Sequence, residues 1–572
     1  MIQRLGESVR TRAIRRCAVM RSVAIILGFS LLATSAGAAD KVRFRDVTAA
    51  TGIDFVHTDG SSGNYFIIET VASGLATFDY DNDGLVDIYF LNGSALPGMK
   101  VDKPPCNRLY KNLGGFRFVD VTEKAGVGDT GYGLAVATAD FDNDGDQDIY
   151  ISNWGPNCFF RNNGDGTFTD VTRQTGTAAA FPDKAGAGVA FLDADRDGWL
   201  DLFVSNYLRF TTEMDVRAYW KGLRIYPDPS RFAVFPDMLF RNNRDGTFRD
   251  ISEESGVNKH RGRGMGIVCA DYDNDGDTDI FVNSDGPPGN SLLKNDGTGR
   301  FEDIGMLAGV AFDSAGLAHG AMGVDAGDYD NDGRLDFYVT SYQGQLATLY
   351  RNLGDDLFDD VTQLTGAGTR SLNQVTWGCT LADFNNDGFK DIFYVCGHLI
   401  DNIEQLDDTT SLAASPVLLL NDGTGKFVDV SMEAGLTMKS VGRGAAFDDL
   451  DNDGRLDVVI LNTRRPPTIL RNETMTSNHW LEVQLVGRQT NRDGVGSRVI
   501  LQAGDLTQVD EVHSGRGYQS HYGMRLHFGL GHHQTVDRLE VRWLSGHVDV
   551  FKNIPADRRI VVTEGQGWRE IR

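Results

Sequence analysis

Acidic side chains recur in this chain at a spacing that can bring oxygen atoms to one point. The pattern D-x-D-x-D-G-x-x-D occurs seven times, once with an Asn variant. The candidate ligands are Asp79, Asp81, Asp83 and Asp87; Asp140, Asp142, Asp144 and Asp148; Asp193, Asp195, Asp197 and Asp201; and Asp271, Asp273, Asp275 and Asp279. They continue with Asp328, Asp330, Asp332 and Asp336; Asp383, Asn385, Asp387 and Asp391; and Asp449, Asp451, Asp453 and Asp457. Side chains at positions 1, 3, 5 and 9 converge only if the backbone wraps around them. Gly at position 6 permits the sharp turn, and the carbonyl at position 7 adds an oxygen. All-oxygen ligation with several carboxylates suits a hard cation, calcium above magnesium. The loop is no EF-hand, because position 12 of the first copy is Phe90 where that motif needs Glu.

The competing reading is a metal-free series of Asp-Gly turns. Carboxylates about 4 Å apart repel by roughly 4 kcal/mol per pair at an effective dielectric near 20, and a metal-free design has no reason to repeat that cost. A site with a dissociation constant of about 0.1 mM, meeting about 1 mM calcium, stabilises the fold by roughly 1.4 kcal/mol. About seven calcium ions in a structural role are therefore expected, with the Asn385 loop the weakest.

The elements that must position these loops repeat with them, at intervals of roughly 60 residues. Each loop leads into a β-like run such as Ile88-Tyr89-Phe90 or Ile392-Phe393-Tyr394. Five residues before each loop stands a small residue: Gly74, Ala135, Gly188, Gly266, Gly323, Gly378 or Gly444. Small residues there fit an inner strand crowded by another backbone. Several units continue with L/F-Y/F/L-R/K-N, as at Leu109 to Asn112, Phe159 to Asn162, Leu239 to Asn242 and Leu349 to Asn352, and most add F-x-D-V/I, as at Phe358 to Val361. One F-x-D-V copy, Phe44 to Val47, precedes the first loop, and none follows Leu470-Arg471-Asn472. The N-terminal strand is thus expected to complete the last blade. The fold expected is all-β: a seven-bladed β-propeller with calcium-binding loops over residues 41–476, then a small C-terminal β domain over 478–566.

The N-terminus reads as an export signal over residues 1–39. Arginines precede the apolar run Val23 to Leu32, and Ala36-Gly37-Ala38 offers a cleavage site. Met1 and Met20 both remain possible starts. A secreted, periplasmic or cell-surface protein follows, with no transmembrane segment in the mature chain. Net charge is −25, with Asp+Glu 80 against Lys+Arg 55, which argues against a nucleic-acid partner. Hydrophobic content of 41% argues for a packed core against disorder. Beyond the signal, the cysteines are Cys106, Cys158, Cys269, Cys379 and Cys396, too few and odd for a disulfide framework. Cys379 and Cys396 could pair across a hairpin or remain buried thiols.

The repeats stop after Asn472. The loop cores and the L-Y-R-N-x-G-x-G-x-F-x-D-V-T linkers resemble FG-GAP/VCBS repeats, the blades of integrin α-subunit heads. The tail motifs Asn491-Arg492-Asp493-Gly494, Ser514-Gly515-Arg516-Gly517-Tyr518 and His527-Phe528-Gly529-Leu530-Gly531 resemble the ASPIC/UnbV domain. Together they are similar to the cartilage acidic protein group. The resemblance implies calcium loops on one propeller face, ligands on the other, and an extracytoplasmic setting.

Catalytic signals are weak: there is no H-E-x-x-H, nucleophile elbow or Walker A. Gly262-x-Gly264-x-Gly266 leads into a calcium loop and not a helix. His513, His521, His527, His532 and His533 could bind a metal or serve in turns. Arg498 and Arg516 could meet an anionic ligand or form salt bridges. The segment from Arg209 to Asp237 carries Tyr219, Trp220, Tyr226, Phe232 and Phe235, so it is either a binding surface or a self-packed cap. The sequence therefore supports a binding or adhesion module for an extracellular or periplasmic protein or glycan. A calcium-dependent lyase or hydrolase acting on carbohydrate is the alternative.

Overall fold

Alternating β-branched and aromatic runs broken by Asp-Gly loops fold as short antiparallel strands. The computed structural model describes residues 41–571 except Ser62, Ala72, Asp215 and His260. The export-signal reading lies outside the described residues. The chain is all-β, with several four-stranded antiparallel sheets and Asp-rich loop clusters.

One sheet shows the plan. Leu75–Phe78 leads through the first acidic loop into Asp87–Phe90, then Arg108–Asn112, then Phe118–Asp120. The same order recurs from inner strands Tyr132–Ala139, Lys184–Leu192, Gly264–Ala270, Ala321–Gly327 and Thr376–Ala382. The units begun by Tyr132–Ala139 and Lys184–Leu192 touch through the pair Ala185 and Trp154. In the unit built on Gly442–Asp448, the outermost strand is Phe44–Asp46, which pairs with Thr468–Asn472. The pairing expected of the N-terminal F-x-D-V copy is thus present.

The outer strands end in a repeated local device. Asp120 accepts the Thr122 amide at 2.9 Å and starts the turn Thr122–Ala125, which Gly126 closes at φ 77°. A left-handed residue costs glycine nothing, so the chain can leave each turn toward the next inner strand.

Inner strands approach each other backbone to backbone where the small residues stand. A Cβ on Gly323 would lie 2.4 Å from the Trp377 carbonyl, and one on Gly444 would lie 2.8 Å from the Gly74 Cα. The second contact brings the last inner strand against the first.

The C-terminal segment forms two packed sheets. One contains His479–Val486, Leu526–Gly531, Arg558–Thr563 and Gly567–Ile571; the other contains Arg498–Ala503, Leu506–Glu511, Thr535–Arg542 and Val548–Pro555. Leu481, Val499, Leu501, Leu539, Val541, Ile560 and Val562 fill the space between them. The final strand, Gly567–Ile571, runs past residue 566.

Residues 512–523 leave these sheets and pass between the inner strands. Ser514 bridges Phe191, Gly517 bridges Val324 and His521 bridges Ala76. The Ser514 hydroxyl donates to Thr138 O, the Tyr522 hydroxyl donates to Cys379 O, and Gly523 N donates to Asp448. A Cβ on Gly74 would meet Gln519 O at 1.7 Å. The small residues therefore make room for the tail as well as for each other.

Among the described residues, Cys106, Cys158, Cys269, Cys379 and Cys396 are free. Cys379 pairs in register with Tyr394, and Cys396 with Thr376, so the two thiols are not opposite one another.

Candidate metal centres

Each acidic loop joins an inner strand to the next strand of its sheet. The residue at position 4 takes left-handed backbone in every copy: Asn82, Asn143, Arg196, Asn274, Asn331, Asn386 and Asn452, with φ between 55° and 63°. Asn tolerates that conformation better than most residues. Gly at position 6 is left-handed too, from 81° at Gly454 to 102° at Gly145. The two reversals wrap the chain around the position 1 carboxylate. In the first loop Asp79 accepts the Asp83 amide at 3.0 Å and the Gly84 amide at 2.8 Å.

Carboxylate oxygens then gather. Asp79, Asp81 and Asp87 offer one atom each, all within 4.8 Å of one another, as do Asp140, Asp142 and Asp148, and Asp271, Asp273 and Asp279. In two loops the triad uses position 5: Asp193, Asp195 and Asp197, and Asp328, Asp330 and Asp332. Asp83, at position 5 of the first loop, accepts the Leu85 amide and meets Lys111 at 3.0 Å. In the sixth loop Asp383 accepts the Gly388 amide at 2.7 Å, and the Asn385 amide group donates to Asp387 at 2.9 Å.

The donor set fits a divalent cation. At least one buried position 3 oxygen has no hydrogen-bond partner in each of five loops, at Asp81, Asp142, Asp195 (both oxygens), Asp330 and Asp451. Buried carboxylate oxygens without donors are costly unless a cation meets them. Burial pushes the position 9 carboxyls of Asp87, Asp148, Asp201, Asp279, Asp336, Asp391 and Asp457 well above the usual carboxylate range. Burial, then the neighbouring Asp493, raises Asp140 to about 8, and burial raises Asp328 to about 7. A bound cation reverses that preference by favouring the ionised form.

The L-Y-R-N signature has two roles that its spacing alone could not reveal. In five units its basic residue pairs with an oxygen of position 3: Lys111 with Asp81, Arg241 with Asp195, Lys294 with Asp273, Arg351 with Asp330 and Arg471 with Asp451. In the sixth unit position 3 is the neutral Asn385, and the matching residue is Leu420. The cation is absent where the carboxylate is absent.

The Asn of the same signature fastens adjoining units. Its backbone amide donates to the position 9 carboxylate of its own loop, as from Asn112 to Asp87 at 2.7 Å. Its side chain donates to the position 2 carbonyl of the preceding loop: Asn162 to Tyr80, Asn242 to Phe141, Asn295 to Ala194, Asn352 to Tyr272, Asn421 to Tyr329 and Asn472 to Phe384. Asn112 donates to Leu450 O at 2.8 Å, joining the first unit to the last. Position 4 adds a parallel set from Asn82 to Gly145, Asn143 to Gly198, Asn331 to Gly388, Asn386 to Gly454 and Asn452 to Gly84.

The tail docks on this loop-bearing side. The Arg559 guanidinium donates to Gly84 O, His527 is hydrogen-bonded to Asn386, and Arg525 donates to Asn452. Arg516 forms a buried ion pair with Asp325 at 2.6 Å, and Arg498 pairs with Glu511 at 3.2 Å. The salt-bridge reading of both arginines holds. His513 meets Cys269 O, His521 meets Thr138, and His533 pairs with Asp505.

At the opposite ends of the inner strands, the segment from 209 to 237 packs down as a cap. Tyr226, Phe232 and Phe235 are buried, and the Tyr226 hydroxyl donates to Glu69 at 3.0 Å. Tyr219 and Trp220 remain exposed.

Comparison with known proteins agrees with this geometry. The FG-GAP-like repeat profile matches residues 79–151, 140–204, 236–282, 271–339 and 328–394, and the ASPIC and UnbV profile matches residues 487–568. Cartilage acidic protein 1 of Mus musculus is 26% identical over 457 residues, covering 76% of this chain and 64% of that protein. The Homo sapiens protein is 25% identical, covering 76% of this chain and 63% of its own length. The chain thus spans just under two thirds of these relatives. Among solved structures, an Agrocybe aegerita lectin for non-reducing terminal N-acetylglucosamine aligns with a TM-score of 0.36 at 18% identity, covering 63% of this chain and 79% of the lectin. A Bacillus licheniformis rhamnogalacturonan lyase aligns with a TM-score of 0.36 at 13% identity, covering 71% of this chain and 72% of the lyase. The chain is an FG-GAP-like repeat protein with a C-terminal ASPIC and UnbV domain, distantly homologous to cartilage acidic protein 1.

Proposed function

We propose that the chain is an exported, calcium-stabilised binding module whose repeats close as a seven-bladed propeller. Closure is supported by the hydrogen bond from Asn112 to Leu450 O, between residues 338 apart in sequence. Calcium acts structurally in this reading. It lies at the loops that Asn side chains tie to neighbouring units, and the tail packs over the same side. The observation that carries the reading is the set of buried, donor-free oxygens at Asp81, Asp142, Asp195, Asp330 and Asp451. Recognition of a protein or glycan partner then falls to surfaces away from the loops, such as the exposed Tyr219 and Trp220 of the cap. Rigid aromatic side chains on a packed cap suit that task.

The test is a screen of the mature chain against glycan and surface-protein arrays, with calcium and with EGTA. Saturable, calcium-dependent binding that weakens in Tyr219→Ala and Trp220→Ala is expected. Turnover of a carbohydrate substrate without stable binding would instead favour a carbohydrate-active enzyme.

A further inference from the structure

A cleft of about 380 Å³ opens between the first two acidic loops and the tail sheets. Arg492, Arg525, Arg559 and Arg569 all line it, in a chain of net charge −25. The carboxylates on its walls already have donors. Asp79 accepts two loop amides, Asp448 accepts the Thr77 hydroxyl at 2.5 Å, and Asp493 accepts the Asp140 amide at 2.7 Å.

The arginines are not matched in the same way. Arg525 is used on Asn452 Oδ1 and Asp449 O and pairs with the buried Glu482 carboxylate at 3.9 Å. Arg559 uses one N–H on Gly84 O at 3.2 Å, and no carboxylate lies within ion-pair distance of it among the described residues. The Arg492 and Arg569 side chains are exposed and have neither an ion pair nor a hydrogen bond among the described residues. Arg492, Arg559 and Arg569 have no ion pair among the described residues, so an anion between them would be met by guanidinium groups that no carboxylate contacts. Leu485, Val486, Met524, Val561 and Ile571 supply apolar wall beside them. The volume is that of a small-molecule pocket.

We propose that this cleft binds a small organic oxyanion, a carboxylate, sulfate or phosphate ester carried on a partly apolar body. Guanidinium forks match the paired oxygens of such groups, and the apolar wall holds the body. The site goes beyond the partner-binding reading and does not depend on it. Arg525 and Arg559 form the inner end and also dock the tail, whereas Arg492 and Arg569 stand free at the rim.

The test is titration calorimetry on the calcium-loaded full mature chain. The probes are glucuronate, glucose 6-sulfate, glucose 6-phosphate, octanoate, inorganic phosphate and uncharged glucose. At least one organic oxyanion should bind with one-to-one stoichiometry, and the probe that binds identifies its class. Arg492→Ala and Arg569→Ala, neither of which breaks a contact, should each weaken that binding about tenfold. Added salt should weaken it, and glucose should not bind. No binding by any organic oxyanion would overturn the proposal, as would binding unchanged in both variants. Binding of inorganic phosphate only would also overturn it. Melting temperature with and without EGTA, measured on the same samples, keeps failure here separate from failure of the calcium reading.

Discussion

Replacing Asn112 by Ala removes one of the hydrogen bonds that join the first repeat to the last. The Asn112 side chain donates to Val86 O at 2.9 Å and Leu450 O at 2.8 Å, and it accepts the Gly114 amide at 2.9 Å. The residue is fully buried, so water does not replace these partners. Each lost hydrogen bond contributes about 1 kcal/mol, and stranded buried carbonyls cost more, so the change should destabilise by about 3–5 kcal/mol. Asn352→Ala is the control. Asn352 makes the same three contacts, to Leu335 O, Tyr272 O and the Gly354 amide, between repeats that adjoin in sequence. In a closed ring the two variants should lose similar stability. In an open array, Asn112 would lack its cross-repeat partner and the loss would be smaller by at least 1 kcal/mol. Urea unfolding in saturating calcium, followed by tryptophan fluorescence, measures both. A loss for Asn112→Ala smaller than that for Asn352→Ala by about 1 kcal/mol or more would refute closure.

Three further outcomes follow from side chains inside and beside the repeats. Arg516→Ala leaves Asp325 buried without its cation, which should cost about 3–5 kcal/mol. Limited proteolysis should then cut within residues 512–523, and an uncut tail would count against the packing of this segment between the inner strands. Burial raises the Glu69 carboxyl to about 7 from its ordinary 4.5. Its stability contribution is therefore full below pH 4.5 and declines as pH rises through about 7, so Glu69→Gln should gain melting temperature relative to the parent between pH 5 and pH 8. A difference that stays flat or falls over that range would contradict the assignment. Asn385→Asp adds a carboxylate opposite the neutral Leu420, so it should tighten calcium at the sixth loop and destabilise the chain in EGTA; no calcium-dependent difference would refute the charge pairing.

The acidic loops were legible because ligand type, spacing and the turn glycine all lie within nine consecutive residues. The strand order was legible for a similar reason, and the Phe44 copy identified its own partner through the missing copy after Asn472. The role of the Asn in L-Y-R-N was not legible, because its side chain reaches a carbonyl in another repeat, as from Asn472 to Phe384. The burial of the tail segment was not legible, because Ser, Gly, His and Arg between 513 and 521 have the composition of a solvated turn. Their burial follows from hydrogen bonds to several inner strands, which no local pattern encodes. The aromatic segment was divided by the structure: Tyr226, Phe232 and Phe235 pack inward, while Tyr219 and Trp220 face solvent. Both groups have the same residue types, so composition could not separate them.

The central claim is that calcium pins the repeats. Equilibrium dialysis with elemental analysis, paired with thermal melting in 1 mM calcium and in EGTA, tests it most directly. About seven calcium ions per chain are expected, with the Asn385 loop filling last. At roughly 1.4 kcal/mol per site the ions together contribute about 10 kcal/mol, which corresponds to a fall of about 10 °C in melting temperature on chelation. Fewer than about two ions per chain, or a melting temperature unchanged by EGTA, would contradict the account.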